Sequence, residues 1–314
     1  MRIAKTYMMN TRQLRYALVL AEERSISKTA QKLNVSQPSL TQYINNLEQS
    51  LGYKLFNRTI MPLQLTAAGE IYVETARKIL DLEKQMDWRL RDMEDQPSGT
   101  LSIGMPLYHA QYKLPKALKL FNEKYLYYNI EVVCRMNNDD RLKMLEQGEL
   151  DFSLSLLPVD EKKFEWIEIF SEELLLAMPV DHPLNDTLTI INEVKPGRHY
   201  PLVDLRELKN IPFLMVKGNY GVYRLVNNLF QQLGLYPREI IKCESTEVCH
   251  AMVAAGIGTT IIQSIYANYE GFSQKPRYYS IFQDYPIRQL AAVYRKDQYM
   301  PRAVLDFIDI LKSI

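Results

Sequence analysis

SISKTAQKLNVSQPSLTQYINNLEQSL, residues 25–51, decides the fold, because it predicts two helices joined by a break of only a few residues. The first helix is predicted to begin near Ser27. Asn34 then interrupts the helical period, and Ser36 is well placed to cap a second helix whose first turn accommodates Pro38. This pattern is typical of a helix-turn-helix.

The second helix has one apolar face and one polar face. Its apolar residues, Leu40, Ile44, Leu47 and Leu51, fall at helical spacing and can cover the preceding helix. The opposite face carries amides and hydroxyls, which suit base edges in a DNA major groove, with Gln and Asn suited to adenine. A solvated polar face is the alternative for this helix considered alone. The residues on that face are Pro38, Gln42, Asn45, Asn46 and Gln49, flanked by Ser39, Thr41 and Tyr43.

The size and composition predict a chain of several domains. Its 314 residues suit two or three domains, and its 47% hydrophobic and 24% charged residues are ordinary for a soluble globular protein. No apolar run is long enough to span a membrane. The N-terminus lacks the apolar segment of a secretory signal, which predicts a cytoplasmic protein.

Charge is unevenly distributed, although the net charge is only +1. Residues 1–66 contain nine basic and three acidic side chains, whereas the remainder contains 29 basic and 34 acidic ones. A basic head on a slightly acidic body predicts a polyanionic partner for the head alone.

The three cysteines, Cys134, Cys243 and Cys249, lie in apolar contexts without the spacing of a CxxC motif. Buried reduced thiols are therefore the expected state. A redox pair between Cys243 and Cys249 is the alternative, and the separation of their backbones cannot be read from the sequence.

A short hairpin is predicted after the second helix. Gly52 stops that helix, and residues 53–66, YKLFNRTIMPLQLT, alternate apolar and polar residues on either side of a turn that contains Pro62. Such a hairpin forms a wing beside the helix-turn-helix. Arg58 is its strongest candidate for a phosphate or minor-groove contact, and an exposed Arg58 without a partner is the alternative.

Residues 35–72 carry a resemblance to a known family. VSQPSLTQYINNLEQSLGYKLFNR at 35–58 and LTAAGEIY at 65–72, with Ala30 and Leu33 before them, resemble the N-terminal domain of LysR-type transcriptional regulators. The order S-Q-P, I-x-x-L-E, L-G, L-F-x-R and L-T-x-x-G, at these gaps, is more specific than any one of its pieces. The resemblance implies a winged helix-turn-helix that binds double-stranded DNA.

The resemblance also implies which residues of the head contact DNA. Those that match positions approaching bases or phosphates in the family are Gln37, Pro38, Thr41 and Gln42. Arg58 matches the wing arginine. Gln42 stands where the family commonly has a basic residue, and the turn of the wing lacks the usual arginines. The full set expected to contact DNA is Ser36, Gln37, Pro38, Ser39, Thr41, Gln42, Asn45 and Arg58.

Residues 67–97 predict a long linker helix that ends at a proline-containing turn. Its apolar residues keep a spacing of three and four among charged ones, so the helix cannot bury them internally. Pairing with a second copy is the expected outcome, and in the resembling family this helix joins two subunits. Packing on its own effector domain is the alternative. The apolar seam consists of Ile79, Leu82, Met86, Leu90 and Met93.

The remainder of the chain alternates short strands with helices. Helices are predicted at 111–125 and 139–147, between strands at 101–105, 130–134 and 151–156. This βαβαβ run implies a parallel sheet. A second set of strands and helices follows, and two similar α/β units with the chain crossing between them twice predict two lobes that face a cleft.

This layout, including GELDFSLSL at 148–156 and VAAGIGTTII at 253–262, resembles the periplasmic-binding-protein-like effector domain of the same family. The predicted fold class is α+β multidomain, with an all-α winged helix-turn-helix head, a long linker helix and a two-lobed α/β effector domain of the type II periplasmic-binding-protein-like class. The predicted boundaries are 1–66 for the head, with 1–9 as a flexible lead, 67–97 for the linker helix and 98–314 for the effector domain. Lobe I is expected at about 98–171 and 286–314, and lobe II at about 172–285.

The cleft is expected to bind a small polar or anionic effector. Ligands of open α/β sheets settle at the carboxyl ends of the strands, where helix N-termini present free N–H groups. Tyr108 could add a stacking wall, and His109 a proton-dependent donor. The alternatives that involve no ligand are a helix-capping role for Ser245, a turn at Asn219 and a buried, hydrogen-bonded histidine at position 109. The residues expected at the cleft are Pro106, Leu107, Tyr108, His109, Ser155, Leu156, Gly218, Asn219, Tyr220, Ser245 and Thr246.

Enzymatic function finds little support. The sequence contains none of the motifs GxSxG, GxxxxGK[ST], HExxH and GxGxxG, and no carboxylates form a catalytic pair by spacing. His182, His199 and His250 are too scattered to indicate a metal site. No catalytic residue, metal or cofactor is therefore predicted. A solute-binding protein without DNA function shares the two-lobed domain and is the alternative, but the basic head argues against it.

The sequence and the resemblance together predict a DNA-binding transcriptional regulator that responds to a small-molecule effector. We expect a homodimer, or a tetramer as the resemblance implies, whose recognition helices read a pseudo-palindromic operator. Closure of the lobes on the effector would change the spacing of the DNA-binding heads. RNA polymerase is a candidate further partner, and no membrane partner is expected.

Overall fold

The computed structural model describes residues 10–94, 97–134, 137–191, 200–208, 211–216, 221–236, 238–243, 245–281, 288–296 and 298–314. The chain divides into two compact units, Met1–Asp95 and Gln96–Ile314. The predicted flexible lead at 1–9 lies outside the described residues, as does the predicted return to lobe I at 285/286.

The first unit begins with the predicted helix-turn-helix, in the helices α1 (Thr11–Glu23), α2 (Ile26–Lys32) and α3 (Gln37–Leu51). Their apolar faces meet in one core. Asn34 in the turn has φ +52, a left-handed conformation that Asn adopts more readily than most residues. Ser36 caps α3, as its spacing predicts. The prediction of two helices and a tight turn is therefore confirmed.

A wing and a long helix complete this unit. Strands β1 (Phe56–Asn57) and β2 (Gln64–Leu65) pair antiparallel, which confirms the predicted hairpin. Helix α4 (Ala67–Arg91) follows, and it is shorter than the predicted span of 67–97. A side chain at Gly69 would collide with the backbone carbonyl of Leu55, so glycine allows α4 to pass close to the wing.

The second unit contains the remaining helices and strands, which follow in chain order. Its first elements are β3 (Gly99–Gly104), α5 (Leu107–Tyr112), α6 (Leu114–Lys124), β4 (Tyr128–Val133), α7 (Asn138–Glu146), β5 (Phe152–Leu156), β6 (Phe164–Glu172) and β7 (Leu174–Met178). They are followed by β8 (Ile190–Ile191), β9 (Leu202–Val203), β10 (Pro212–Val216), α8 (Gly221–Gln232), β11 (Arg238–Cys243), α9 (Thr246–Ala254), β12 (Thr260–Gln263), β13 (Arg277–Ser280), β14 (Arg288–Arg295) and α10 (Arg302–Ser313).

Short 3-10 helices lie between these elements, at Pro183–Asp186, Leu205–Leu208 and Ser264–Asn268.

Lobe I is built on a five-stranded sheet in the order β4-β3-β5-β14-β6. β3 runs parallel to both β4 and β5, as the βαβαβ pattern predicts. β14 is antiparallel to β5 and β6, so the sheet is mixed rather than wholly parallel. The reason is that β14 returns from the far end of the chain. Phe121, Phe152 and Phe307 are fully buried between this sheet and the helices α6 and α10.

Lobe II contains a second five-stranded sheet, in the order β12-β7-β13-β9-β8. β10 and β11 form a parallel pair, and a bridge between Phe213 and Thr259 joins β10 to the residue before β12. Phe213 and Phe230 pack in the core on one side, and α9 buries Cys249 and Val253 on the other. The predicted two-lobed α/β architecture is confirmed.

The helix predicted at 111–125 is wrong in its bounds. Two helices occupy this part of the chain, α5 and α6, and they meet at Lys113. Pro115 explains the break, because it has no N–H to donate to the carbonyl of Gln111 and instead occupies the first turn of α6. Since α5 begins at Leu107, the segment expected to be a strand-end loop is mostly helical.

Candidate nucleic-acid interface and effector cleft

Helix α3 buries its apolar face and exposes its amide face. Leu40, Ile44 and Leu47 are buried, whereas Gln42 and Asn46 are exposed. Gln42 Nε2 donates to Asn46 Oδ1 at 2.9 Å, which aligns two amides one turn apart. Each amide keeps further donors and acceptors for the edge of a base.

The exposed start of α3 suits a phosphate. Ser36, Gln37, Pro38 and Ser39 are all exposed there. Ser36 Oγ accepts the N–H of Ser39 at 3.2 Å, which fixes the first turn. A helix N-terminus carries partial positive charge and leaves N–H groups without intrahelical partners, and both favour an anion.

Thr41 and Asn45, two further predicted contacts, lie on one flank of the amide face and are half-buried. On the opposite flank, the ring of Tyr43 packs against Tyr16 of α1 with the centroids 4.9 Å apart. The surface available to a partner is therefore a narrow ridge centred on Gln42.

The carboxylate of Glu48 joins α3 to the wing, a role that the sequence did not indicate. Its side chain is 1% exposed. Oε1 accepts the backbone N–H groups of Leu55 at 2.9 Å and Phe56 at 3.2 Å, and Oε2 accepts Lys54 Nζ at 2.9 Å. Burial alone would raise the pKa of Glu48, but these hydrogen bonds together hold the pKa below its usual value.

Arg58 is held by the same carboxylate. Its Nη2 lies 3.5 Å from Glu48 Oε2, and its side chain is 33% exposed. The alternative of an exposed Arg58 without a partner is therefore wrong. The guanidinium has five N–H donors, so a contact with Glu48 leaves donors for a phosphate.

Helix α4 presents two different faces. Tyr72, Val73 and Ala76 are buried in the core of the head. The predicted seam is exposed, with Ile79, Leu82, Met86 and Leu90 on α4 and Met93 two residues beyond its end. Ile71, 69% exposed, lies on the same stripe, because eleven residues make about three turns of helix. Ile71 is not among the residues predicted for the seam, although its spacing from Leu82 is the signal.

Tyr108 and His109 point into the protein, because α5 already begins at Leu107 and turns them inward. The ring of Tyr108 lies 5.5 Å from that of Tyr266, and the fully buried ring of His109 lies 4.9 Å from that of Phe170. Tyr108 is therefore buried, so its ring does not present the predicted stacking wall at the surface. Leu107, 40% exposed, is the member of this group that reaches the surface.

A buried polar centre lies beside α5. Glu172 Oε2 accepts a hydrogen bond from Arg288 Nη1 at 3.1 Å, and Glu172 Oε1 lies 3.5 Å from His109 Nε2. Among the described residues, neither Glu172 Oε1 nor the ring nitrogens of His109 have a hydrogen-bond partner. Burial lowers the pKa of His109 well below its usual value, with Lys113, Arg288 and Arg141 acting in the same direction. Burial raises the pKa of Glu172 to about 7, against the opposing effect of Arg288.

A cavity of about 240 Å³ opens beside this centre, where the crossover from β6 to β7 meets α5. It is slightly smaller than the roughly 300–1,000 Å³ of typical ligand sites, so it suits a small molecule. Lys113 Nζ lies 4.3 Å above the ring of Phe170 in its wall. Of the predicted effector residues, His109 lines this cavity. The lining residues are His109, Lys113, Phe170, Ser171, Glu172, Glu173, Tyr200, Ser264, Ile265 and Asn268.

The predicted effector residues of lobe I are turned mostly inward. Ser155 is fully buried, and its Oγ lies 2.9 Å from the Oγ of Ser153. Leu156 is half-buried, and its N–H donates to Asn138 Oδ1 at 3.3 Å. Pro106 is buried. The structure therefore does not present the hydroxyl of Ser155 to the cleft.

Ser245 and Thr246 form the start of α9 in lobe II. Ser245 Oγ accepts the N–H of Val248 at 3.3 Å, so the alternative role of this serine as a helix cap is confirmed. Thr246 is buried. The remaining predicted effector residues, Gly218, Asn219 and Tyr220, lie outside the described residues.

Glu172 and His109 in the buried centre are predicted to make opposite contributions to the pH dependence of stability. Between about pH 4.5 and 7 the native chain keeps a proton on Glu172 that the unfolded chain has lost, so this group makes stability fall as pH rises. His109 acts oppositely below its usual pKa of 6.5, because only the unfolded chain protonates it. Glu172→Gln should therefore gain stability relative to the parent as pH rises from 4.5 to 7, by at most about 3 kcal/mol.

Urea unfolding followed through Trp166 in β6 measures this difference in the effector unit, with Trp88→Phe as the parent so that Trp166 is the remaining tryptophan. Glu168→Gln is the matched control, because Glu168 is exposed in the same strand. Parallel pH curves for Glu172→Gln and its parent would contradict the raised pKa.

Two general features bear on function. Among the described residues, no three His, Cys, Asp or Glu side chains converge as a metal site would require. Within the same residues, no helix is long and apolar enough to cross a membrane.

Two family models match the chain. The model described as bacterial regulatory helix-turn-helix protein, lysR family, matches residues 11–70, and the LysR substrate binding domain matches residues 94–313. The chain is 28% identical to an uncharacterized HTH-type transcriptional regulator, YcgK of Bacillus subtilis, over 97% of this chain and 94% of that one. It is also 28% identical to the Hca operon transcriptional activator HcaR of Escherichia coli, over 97% and 98%.

Solved structures share the fold. A full-length OxyR variant from Pseudomonas aeruginosa has a TM-score of 0.73 at 22% identity and covers 98% of this chain and 95% of its own. Full-length CbnR in complex with its target DNA has a TM-score of 0.60 at 23% identity, covering 97% and 99%. The arrangement of a helix-turn-helix, a long helix and a two-lobed α/β unit is thus common to these proteins.

Proposed function

Because this chain belongs to the LysR family of transcriptional regulators, we propose that its α3 reads an operator in the major groove of duplex DNA. The observation that carries this proposal is the exposed amide ridge of Gln42 and Asn46 over the buried Leu40 and Ile44. A helix with this division fits the major groove with its amides toward the bases while its apolar face stays anchored in the head.

The contacts with the DNA backbone would come from either end of this ridge. The exposed residues 36–39 at the start of α3 offer N–H groups and hydroxyls to a phosphate. Arg58 would supply a cation at the wing, and Glu48 would hold its orientation through the 3.5 Å contact. In this arrangement, phosphate contacts set the register and Gln42 contributes sequence preference.

We propose that the protein forms a homodimer whose two copies are joined through α4. The exposed seam is an apolar stripe flanked by charged side chains, and a second copy can bury it by offering the same stripe. Two heads held in this way would read the two halves of a pseudo-palindromic operator. Assembly of two dimers into a tetramer is the corresponding proposal for the full complex.

The effector would bind between the lobes, in a site that includes the cavity beside His109. Lys113, Arg141 and Arg288 all act on His109 electrostatically, and their charges favour a small anionic or polar molecule. Closure on this ligand would alter the spacing of the heads. We further propose that the protein acts in the cytoplasm, with RNA polymerase as a candidate partner, and we assign no catalytic activity to it.

Substitution of Gln42 tests base recognition. We expect Gln42→Ala to weaken specific binding by about 1–3 kcal/mol while barely changing the salt dependence, because it removes a base contact and no phosphate contact. The assay is a quantitative mobility shift with duplexes that the parent protein selects from a randomised pool, measured at several salt concentrations.

Gln49→Ala is the matched control, because Gln49 is an exposed glutamine on the same face about two turns further along α3. It should bind like the parent. An unchanged specificity profile for Gln42→Ala would remove Gln42 from the base readers. A parent protein that ignores duplex DNA at low salt would instead favour the alternative, a solute-binding protein without DNA function.

A further inference from the structure

Two cysteines that the proposed function does not use lie side by side in lobe II. Cys243 is the last residue of β11, and Cys249 lies in the first turns of α9. Their Sγ atoms are 2.6 Å apart. A disulfide bond is about 2.0 Å long, so a movement of roughly half an ångström would bring these atoms to bonding distance.

The two thiols differ in accessibility. Cys249 is fully buried in the core between α9 and the sheet, whereas Cys243 is half-buried and its Sγ lies 3.4 Å from the carbonyl oxygen of Ser245. Burial raises the pKa of Cys249, and the adjacent Cys243 thiol acts in the same direction. An oxidant arriving from solvent therefore meets Cys243 first, and Cys249 is positioned behind it.

We propose that Cys243 and Cys249 are a redox modification site, which a low-molecular-weight disulfide converts into a reversible intramolecular disulfide. The Cys243 thiolate attacks the small disulfide, forms a mixed disulfide and releases one small thiol. Cys249 then loses its proton and attacks Cys243 Sγ, which releases the second small thiol. The two cysteines are oxidised by two electrons, and the small disulfide is reduced by two electrons to two thiols.

The bond would tie the end of β11 to the start of α9 across the capping residue. Ser245 Oγ caps α9 at Val248 N, and Glu247 Oε1 accepts the hydroxyl of Tyr266 at 2.8 Å. The reduced arrangement already places the two sulfurs 2.6 Å apart, with Cys243 Sγ 3.4 Å from the carbonyl oxygen of the capping Ser245. Oxidation would therefore fix the start of α9 without rebuilding it, and this step does not depend on DNA or effector binding.

The test uses the full chain with Cys134→Ser, which leaves Cys243 and Cys249 as its two thiols. The protein is equilibrated in buffers of reduced and oxidised glutathione, alkylated with N-ethylmaleimide after denaturation, and weighed intact. Both thiols should be lost together, so the oxidised chain takes up no N-ethylmaleimide, retains no glutathione and has a mass about 2 Da below that of the reduced chain before alkylation. A chain that keeps both thiols, or carries glutathione, in the most oxidising buffer would overturn the proposal.

Two further measurements test whether the fold itself favours the disulfide between Cys243 and Cys249. With Cys249→Ser added, the chain has no resolving thiol and should retain glutathione on Cys243. The reduction potential of the pair should also be more negative in the native chain than in concentrated urea, because the fold holds the sulfurs together. Equal potentials in the two conditions would show that the fold does not favour the disulfide and would overturn the proposal.

Discussion

Replacing Leu82 by aspartate is expected to convert the proposed dimer into a monomer. Leu82 is 66% exposed and lies in the middle of the seam, so it would sit near the centre of the paired helices. A symmetric pair would bury the new carboxylate twice in an apolar contact. Each buried charge without a partner costs several kcal/mol, so the dimer Kd should rise by roughly a thousandfold or more.

Light scattering over a range of concentrations measures this change. Leu126→Asp is the matched control, because Leu126 is a similarly exposed leucine, 74%, that lies outside α4 and the seam. It should remain in the parent's oligomeric state. Circular dichroism should be the same for both variants, since each replaced side chain is exposed. An intact oligomer for Leu82→Asp would show that α4 is not the dimer interface.

The helix-turn-helix could be predicted because each of its determinants is local. The cap at Ser36, the tolerated Pro38 and the break at Asn34 act within one helical turn of their position. The burial of Leu40 and Ile44 follows from their spacing alone. The exposed seam of α4 has the same origin, because the helical period fixes which side chains share a face.

The role of Glu48 could not be predicted, because it depends on where the wing folds back. In the sequence, this acid is simply the first one on a helix that is otherwise neutral. In the structure, it is buried and accepts the N–H groups of Leu55 and Phe56. The spacing between an acid and a later strand does not reveal such a contact. The pairing of Cys243 with Cys249 was hidden for the same reason, since it spans a strand end and a helix start.

The effector site contains one feature that the sequence could predict and one that it could not. The break between α5 and α6 was predictable from Pro115, which cannot continue a helix. The burial of His109 was not, because Glu172 and Phe170 reach it from a strand about sixty residues later. Strand ends alone predict where a cleft lies, whereas the orientation of each side chain depends on how the lobes pack.

Glu48→Ala is expected to destabilise the head by about 2–5 kcal/mol, because it leaves the buried backbone N–H groups of Leu55 and Phe56 without their acceptor. Lys54 and Arg58 would lose the same carboxylate. The pH dependence of stability provides a second, independent test of the role of Glu48. The lowered pKa of Glu48 contributes stability that is present above its usual value of 4.5 and is lost as pH falls through the folded value. The difference between parent and variant should therefore shrink in acid.

Urea unfolding followed through Trp88 in α4, with Trp166→Phe as the parent, reports on the first compact unit, which contains the head. Glu48→Gln is the informative companion, because its amide oxygen can still accept both backbone N–H groups but carries no charge for Lys54. Its stability should fall between those of the parent and Glu48→Ala. Glu70→Ala, at an exposed acid of α4, should cost much less. If Glu48→Ala lowers the free energy of unfolding by less than about 1 kcal/mol, the wing is held mainly by the packing of Phe56 and Leu63. Two buried N–H groups that lose their acceptor would cost more than that.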